Sequence, residues 1–231
     1  MLKQIVRRAL GLAGLGIVRL RDPYVEIARL LDAKTVRTIV DGGAFHGMTV
    51  RHSHAIFPDA VIHAFEPQRE SFEALTRNAG TLDRVRLHAA ALSDFDGEQT
   101  FFVDTLPYMS SLLAGHSAAL HQVEQRKVAV RTIDAAMAEE HAAPVDVMKL
   151  DLQGHELAAL HGAERALATC RAVLVEVNFR RRYEGACSFE ELTAFLGARD
   201  FGLYRLYDIN HAADTGWAHA DALFVRPPLP A

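Results

Sequence analysis

The chain has 231 residues, half of them hydrophobic, which is enough to bury one sizeable core. Its net charge of −4 lacks the basic surplus of a nucleic-acid binder. Cys170 and Cys187 stand far apart, outside any metal-ligand spacing, a usage that suits a reducing, cytoplasmic setting better than a disulfide framework. No apolar run reaches the length of a membrane-spanning helix, so a soluble protein is expected.

Residues 1–21 depart from the average. Lys3, Arg7, Arg8, Arg19 and Arg21 flank the apolar run Ala9–Val18, and no acid interrupts them. Three readings stay open: a signal peptide, which lacks a small-residue cleavage site; a basic segment making peripheral contact with the inner membrane face; and a helix packed on the domain or on a second subunit as a homodimer. Residues 1–35 are read as a helical extension and 36–231 as the main domain.

After Pro23, Tyr24–Leu31 has a helical pattern. A strand over about Arg37–Asp41 runs into a Gly turn, Asp41-Gly42-Gly43-Ala44-Phe45-His46-Gly47, and a helix over Thr49–Phe57. Val61–Phe65 is a second strand ending at Glu66-Pro67, followed by a helix over Arg69–Asn78 and a third strand over Val85–Ala91 ending at Leu92-Ser93-Asp94. This β-α-β-α-β order predicts a parallel sheet with helices on both faces.

The pattern then changes. Glu98–Val103 and Lys127–Arg131 read as short strands separated by a long connection. Thr132–Glu140 is a helix, and Val145–Leu150 a strand buried on both faces. Asp151-Leu152-Gln153-Gly154-His155-Glu156 leads into one helix reaching about Ala168. Ala172–Val177 is the next buried strand, and Ser188 caps a helix to about Ala198. Gly202–Tyr207 and Ala222–Arg226 form an antiparallel pair joined by Asp208–Asp221; Pro227–Pro230 is a tail.

Ligands of open α/β sheets bind outside the carboxyl ends of the strands. Those ends carry Asp41 with Gly43 and Gly47, then Glu66, then Leu92-Ser93-Asp94, then Asp151 with Gln153 and Glu156, and finally Glu176 with Asn178. The turn glycines do not fit G-x-G-x-x-G, which disfavours an NAD-linked oxidoreductase, and Met48-Thr49 replaces the Lys-Ser/Thr of a P-loop. Glu66, about twenty residues beyond the turn, is placed to accept both hydroxyls of a ribose.

In this order the motifs resemble the FkbM family of methyltransferases: Asp41–Gly47, Ala64-Phe65-Glu66-Pro67, Ala91-Leu92-Ser93-Asp94, Ser110-Ser111-Leu112, Lys149–Glu156 and Val175-Glu176-Val177. The similarity runs from about 36 to 226. Phe45 departs from the family's frequent Asn. The resemblance implies a Rossmann-like class I fold, with a mostly parallel seven-stranded sheet and an antiparallel C-terminal pair. It also implies S-adenosylmethionine as cofactor and hydroxyl oxygens of sugars, glycans or macrolide-type products as acceptors. Asp41, Gly43, Ala44 and Gly47 would line the methionine side, Glu66 and Pro67 the ribose, and Leu92, Ser93 and Asp94 the adenine.

A hydroxyl becomes a good nucleophile only as its proton leaves. Asp151 is the first candidate base, then Glu176, with Glu156 and His155 behind; Lys149 would neutralise Asp151 and Glu176. A divalent cation shared by Asp151 and Glu176 is a second way to acidify the hydroxyl. The Gly turn and the strand-end acids are also compatible with a non-catalytic nucleoside-binding domain, and the acceptor with a lipid or polyketide. Tyr108, Asn210, His211 and Trp217 are placed in loops that could cover it.

Overall fold

The computed structural model describes residues 21–115, 120–212 and 216–227; the basic segment up to Leu20 and the end of the Pro-rich tail lie outside them. Helix α1 (Pro23–Leu31) starts where the Asp22 carboxylate accepts hydrogen bonds from the amides of Tyr24 and Val25. It buries Tyr24, Ile27 and Leu30, one per turn, in the core that also holds Ile39 and Ile62.

Strand β1 (Thr38–Gly42), α2 (Met48–Ile56), β2 (Val61–Phe65), α3 (Arg69–Ala79) and β3 (Val85–His88) follow in the predicted order. β4 is the short pair Ala91–Leu92, β5 runs over Gly97–Asp104 and β6 over Gln122–Arg131. Then come α4 (Ile133–Glu139), β7 (Val147–Leu150), α5 (Glu156–His161), α6 (Glu164–Thr169), β8 (Ala172–Asn178), α7 (Phe189–Gly197), β9 (Gly202–Ala212) and β10 (Gly216–Val225). The main sheet has seven strands in the order β3-β2-β1-β7-β8-β10-β9; β10 is antiparallel to both its neighbours and the other pairings are parallel. The chain builds outward from β1 to β3, then returns to β7 on the other flank of β1. This reversal is the switch point at which α/β sheets open a crevice.

Two apolar layers cover the sheet. Along β8, Val173, Val175 and Val177 face the layer that includes α4–α7, while Ala172 and Leu174 face the one with α1–α3. All seven β8 residues are buried, with the polar Glu176 and Asn178 confined to its carboxyl end.

Four expectations change. The third strand does not run to Ala91: β3 ends at His88, and Ala91–Leu92 leave the sheet to pair in parallel with Val130–Arg131. With β5 antiparallel to β6, they form a separate three-stranded sheet around Ala91, Phe101, Val103, Leu112 and Val130. The helix expected from Glu156 to Ala168 is two helices. Gly162 separates them because it presses on the Ser93 carbonyl, where a Cβ would come within 2.0 Å, and the Asp134 carboxylate caps α6 through the amides of Arg165 and Ala166. The segment 208–221 is no plain connection: β9 and β10 extend into it, with register shifts along the pair. Asn210, His211 and Trp217 therefore stand on strands, not loops.

Candidate active site

The Gly turn lies at the switch point. Gly43 has φ +72°, and a Cβ there would come within 2.0 Å of the Asp151 carbonyl oxygen, so the position admits no side chain. The amides of Gly43 and Ala44 both donate to the Phe65 carbonyl, drawing the turn onto the end of β2. Phe45 takes φ +48° and aims its amide at Glu66 Oε2, 3.0 Å away. Gly47 serves packing: a Cβ there would meet Leu75 Cδ1 of α3 at 2.8 Å.

Glu66 is 6% exposed. Its Oε1 accepts from the Gln68 amide at 2.8 Å and its Oε2 from Phe45, which holds the carboxylate in one orientation. Burial pushes its pKa up to about 7 even against those two bonds. Each carboxylate oxygen keeps a second lone pair, a donor set that fits a vicinal diol.

A cavity of about 290 Å³ opens beside this carboxylate. Gly43, Ala44, Glu66, Pro67, Leu92, Lys149, Asp151 and His155 line it, joined by Phe45, Phe101, Tyr108 and Leu112. Four residues expected on its wall are elsewhere: Asp41, Gly47, Ser93 and Asp94. Asp41 is buried behind the turn. Its Oδ2 accepts from Thr49 Oγ1 at 2.6 Å and its Oδ1 lies 3.3 Å from Lys149 Nζ. Ser93 is fully buried, 2.8 Å from His155 Nε2, and donates to Asp94, so it orients the histidine. Burial lowers the His155 pKa, which favours the neutral ring.

Lys149 is a fastener. It donates to the Gly43 carbonyl at 2.9 Å and stands 3.8 Å from Asp151. Burial works against its charge, but Asp41 and Asp151 outweigh it and keep the ammonium protonated. Glu156 has a similar task and does not reach the cavity. It is 0% exposed, its Oε1 accepts from the amides of Leu152 and Gly154, and Cys187 Sγ donates to its Oε2. The role of Glu156 is to close the turn ahead of α5, and its pKa rises to about 7 through burial.

Asp151 is different. Its side chain is 40% exposed, far more open than the buried Asp41, Glu66 and Glu156. Gln153 Nε2 donates to Asp151 Oδ1 at 2.8 Å and to Glu176 Oε2 at 3.0 Å, while the Tyr183 hydroxyl stands 3.0 Å from Gln153 Oε1. The amide thus occupies the place between the two carboxylates that the alternative of a shared cation would need. Among the described residues, no group of three or more His, Cys, Asp or Glu is placed to hold a metal ion. In the sequence Gln153 stands among the strand-end residues with no role of its own, and Tyr183 is not singled out. The left-handed φ of +54° that turns Gln153 inward leaves no mark in residue type.

A second cavity, about 450 Å³, lies across the switch point. Glu176 and Asp221 line it, neighbours across the β8–β10 register, together with Asp22, Tyr24, His52, Leu174 and Asp208. Burial raises the pKa of Glu176, with Asp151 adding to it, and brings Asp221 to about 6. Thr49, Lys149 and Asp151 belong to both walls.

A mostly parallel seven-stranded sheet with an antiparallel end pair and a switch-point cavity is the architecture of class I methyltransferases. The chain belongs to the FkbM methyltransferase family: the sequence pattern of the methyltransferase FkbM domain matches residues 41–205. Membership makes it an enzyme and makes S-adenosylmethionine its methyl donor. A curated relative, the 2-O-methyltransferase NoeI of Sinorhizobium fredii (strain NBRC 101917 / NGR234), is 26% identical over 176 residues, covering 69% of this chain and 70% of the relative. Among solved structures, fibrillarin of Methanococcus jannaschii, a pre-rRNA processing protein, superposes with a TM-score of 0.52 at 15% identity, over 89% of this chain and 76% of that one. A Clostridium thermocellum protein described as an rRNA-methylase reaches 0.54 at 10% identity, over 91% and 99%. At such identities the two structures speak for the fold alone.

Proposed function

We propose that this enzyme moves the methyl group of S-adenosylmethionine to a hydroxyl oxygen of a sugar or glycan acceptor, with Asp151 as the general base. One observation carries the assignment. Asp151 is, among the described residues, the carboxylate common to both cavity walls, so a group between the two cavities meets it. The relative's name, a 2-O-methyltransferase, supports oxygen as the acceptor atom. The acid-lined second cavity favours a polyol over a lipid or polyketide chain, because hydroxyls satisfy carboxylates and hydrocarbon does not.

In this reading the first cavity holds the nucleoside, with Glu66 accepting from the ribose hydroxyls and Pro67 and Leu92 beside the base. Gly43 and Ala44 border the amino-acid end. When bound, the cofactor supplies a sulfonium methyl that leaves in an in-line displacement. The protein's part is alignment and proton removal. Gln153 and Lys149 fix the Asp151 carboxylate, and Asp151 takes the hydroxyl proton as the C–O bond forms. Glu176 binds the acceptor from the far wall. Glu156, Ser93, Asp41 and Gly47 build the scaffold, and Asp94 orients His155 through Ser93.

Asp151→Asn is the direct test. Turnover of labelled S-adenosylmethionine against sugar acceptors should drop by about 10²–10⁴-fold. S-adenosylhomocysteine should still raise the melting temperature of the variant. Native-like turnover in Asp151→Asn would refute the base assignment, and methylation confined to apolar alcohols would refute the acceptor class.

A further inference from the structure

The two cavities are built from different parts of the chain. Every residue lining the first lies between Gly43 and His155, inside the matched family domain. Six of the thirteen lining the second, Arg21, Asp22, Pro23, Tyr24, Asp208 and Asp221, fall outside residues 41–205. The flanks therefore complete the second cavity. They do so with ordered chemistry: Asp22 caps α1 and stands 2.6 Å from His52 Nε2, and the Tyr24 ring packs edge-on against the His52 ring. Tyr24 is 7% exposed, and its hydroxyl lies within reach of the charges of Asp41, Lys149 and Asp221.

The charge inventory is lopsided. Lys149 is engaged by Asp41 and Asp151, His52 by Asp22, and Arg21 by Glu26 at 3.9 Å. Glu176 has the Gln153 amide and the more distant field of Arg182. Asp221 makes no hydrogen bond or ion pair with a side chain among the described residues, although it is largely enclosed. A molecule entering here meets the carboxylates of Asp22, Asp151, Glu176, Asp208 and Asp221 against Lys149, which is already engaged, and the half-exposed Arg21.

We propose that this flank-built wall selects the acceptor: a sugar bearing an amino group, or no charge, beside the reacting hydroxyl, and not a carboxylated or phosphorylated one. The inference rests on the second cavity being the acceptor site. An ammonium group next to Glu176 and Asp221 takes the place of the proton that two adjacent buried acids would otherwise hold. Hydroxyls donate to the same oxygens. An anionic substituent adds a like charge to a wall in which, among the described residues, carboxylates outnumber cations, a juxtaposition that costs several-fold in affinity at the least. Tyr24 fixes the position of the sugar ring against α1, and Asp221 reads its charge.

The test uses the full chain saturated with S-adenosylhomocysteine and three probes of similar size: methyl glucoside, glucosamine and glucuronic acid. Ligand-observed NMR should find glucosamine bound about tenfold or more tightly than glucuronic acid, with methyl glucoside between. Asp221→Asn should narrow that gap, and Tyr24→Phe should weaken all three. Both variants should keep native affinity for S-adenosylhomocysteine, since neither residue lines the first cavity. Equal or tighter binding of glucuronic acid by the native chain, absence of binding by all three probes, or an undiminished gap between glucosamine and glucuronic acid in Asp221→Asn would overturn the proposal. Methyl transfer separates it from the proposed function. A chain that prefers to methylate glucuronic acid keeps that function and loses this wall. One that binds glucosamine selectively but transfers no methyl to any hydroxyl keeps the wall and loses the function.

Discussion

Glu66 shows how one residue can be legible in sequence and still carry information only coordinates supply. An acid closing the second strand of an α/β pattern points to a ribose, and the structure puts its carboxylate on the cavity wall with two lone pairs committed to backbone. Burial adds that its pKa stands near 7 in the free protein. A diol needs the ionised form, with both oxygens accepting. Lys149 in the same wall stays charged throughout, so the proton on Glu66 governs. Affinity for S-adenosylhomocysteine should therefore rise with pH up to about 7 and level off above it, by at most about tenfold per pH unit below the pKa. Titration calorimetry between pH 5.5 and 8.5 reads this directly. Glu66→Gln, with one acceptor oxygen instead of two, should bind more weakly and lose the slope. A native profile that is flat, or that falls with pH, would show that Glu66 does not hold the diol. Gln153 is the contrasting case: its motif is visible, but nothing in its type reveals that it stands between Asp151 and Glu176.

Among elements, periodicity located the strands and helices of the main sheet and missed what depends on contact at a distance. Val145–Leu150 and Ala172–Val177 read as buried strands, and the strands found, Val147–Leu150 and Ala172–Asn178, are buried because both faces of the sheet are covered. The break between α5 and α6 did not, because its cause is the carbonyl of Ser93, some seventy residues away in the chain. The departure of Ala91–Leu92 into a second sheet is likewise set by a partner, β6, that sequence places much later. The turn before α5 illustrates the consequence for function. Glu156 reads as a catalytic acid by position, yet its oxygens are spent on the amides of Leu152 and Gly154. Glu156→Gln preserves an accepting oxygen, so it should fold and retain at least about a tenth of native activity. Glu156→Ala leaves two buried N–H groups unanswered, at about 1–3 kcal/mol each. Its melting temperature should drop sharply, and turnover should fall only as far as folding does. Loss of turnover in a stable Glu156→Gln protein would return this residue to the chemistry.

At the scale of the molecule, the carboxyl edge of the sheet gathers acids whose burial opposes their ionisation: Glu66 and Glu156 near pKa 7, Asp221 near 6, and Glu176 raised with them. An acid that titrates higher folded than unfolded lets stability slip as pH rises from its unfolded pKa to its folded one, then costs no more. Histidines run the other way. Burial lowers His63 to about 4 and lowers His88 and His155 as well, so their share is lost as pH falls below their unfolded value near 6.5. The two sets overlap between about pH 4.5 and 7 and offset each other, so the ligand-free protein should show a broad, shallow stability profile there. Removing one member exposes the balance. In Glu156→Gln the acid whose contribution declines with pH is gone, while every histidine remains. The stability of the variant relative to native should climb between pH 5 and 7 by up to about 3 kcal/mol and stay constant above. Denaturant melts of both proteins at matched pH measure that difference, from which the shared histidine terms cancel. A difference that is flat across the window would mean that Glu156 is ionised at ordinary pH in the folded chain.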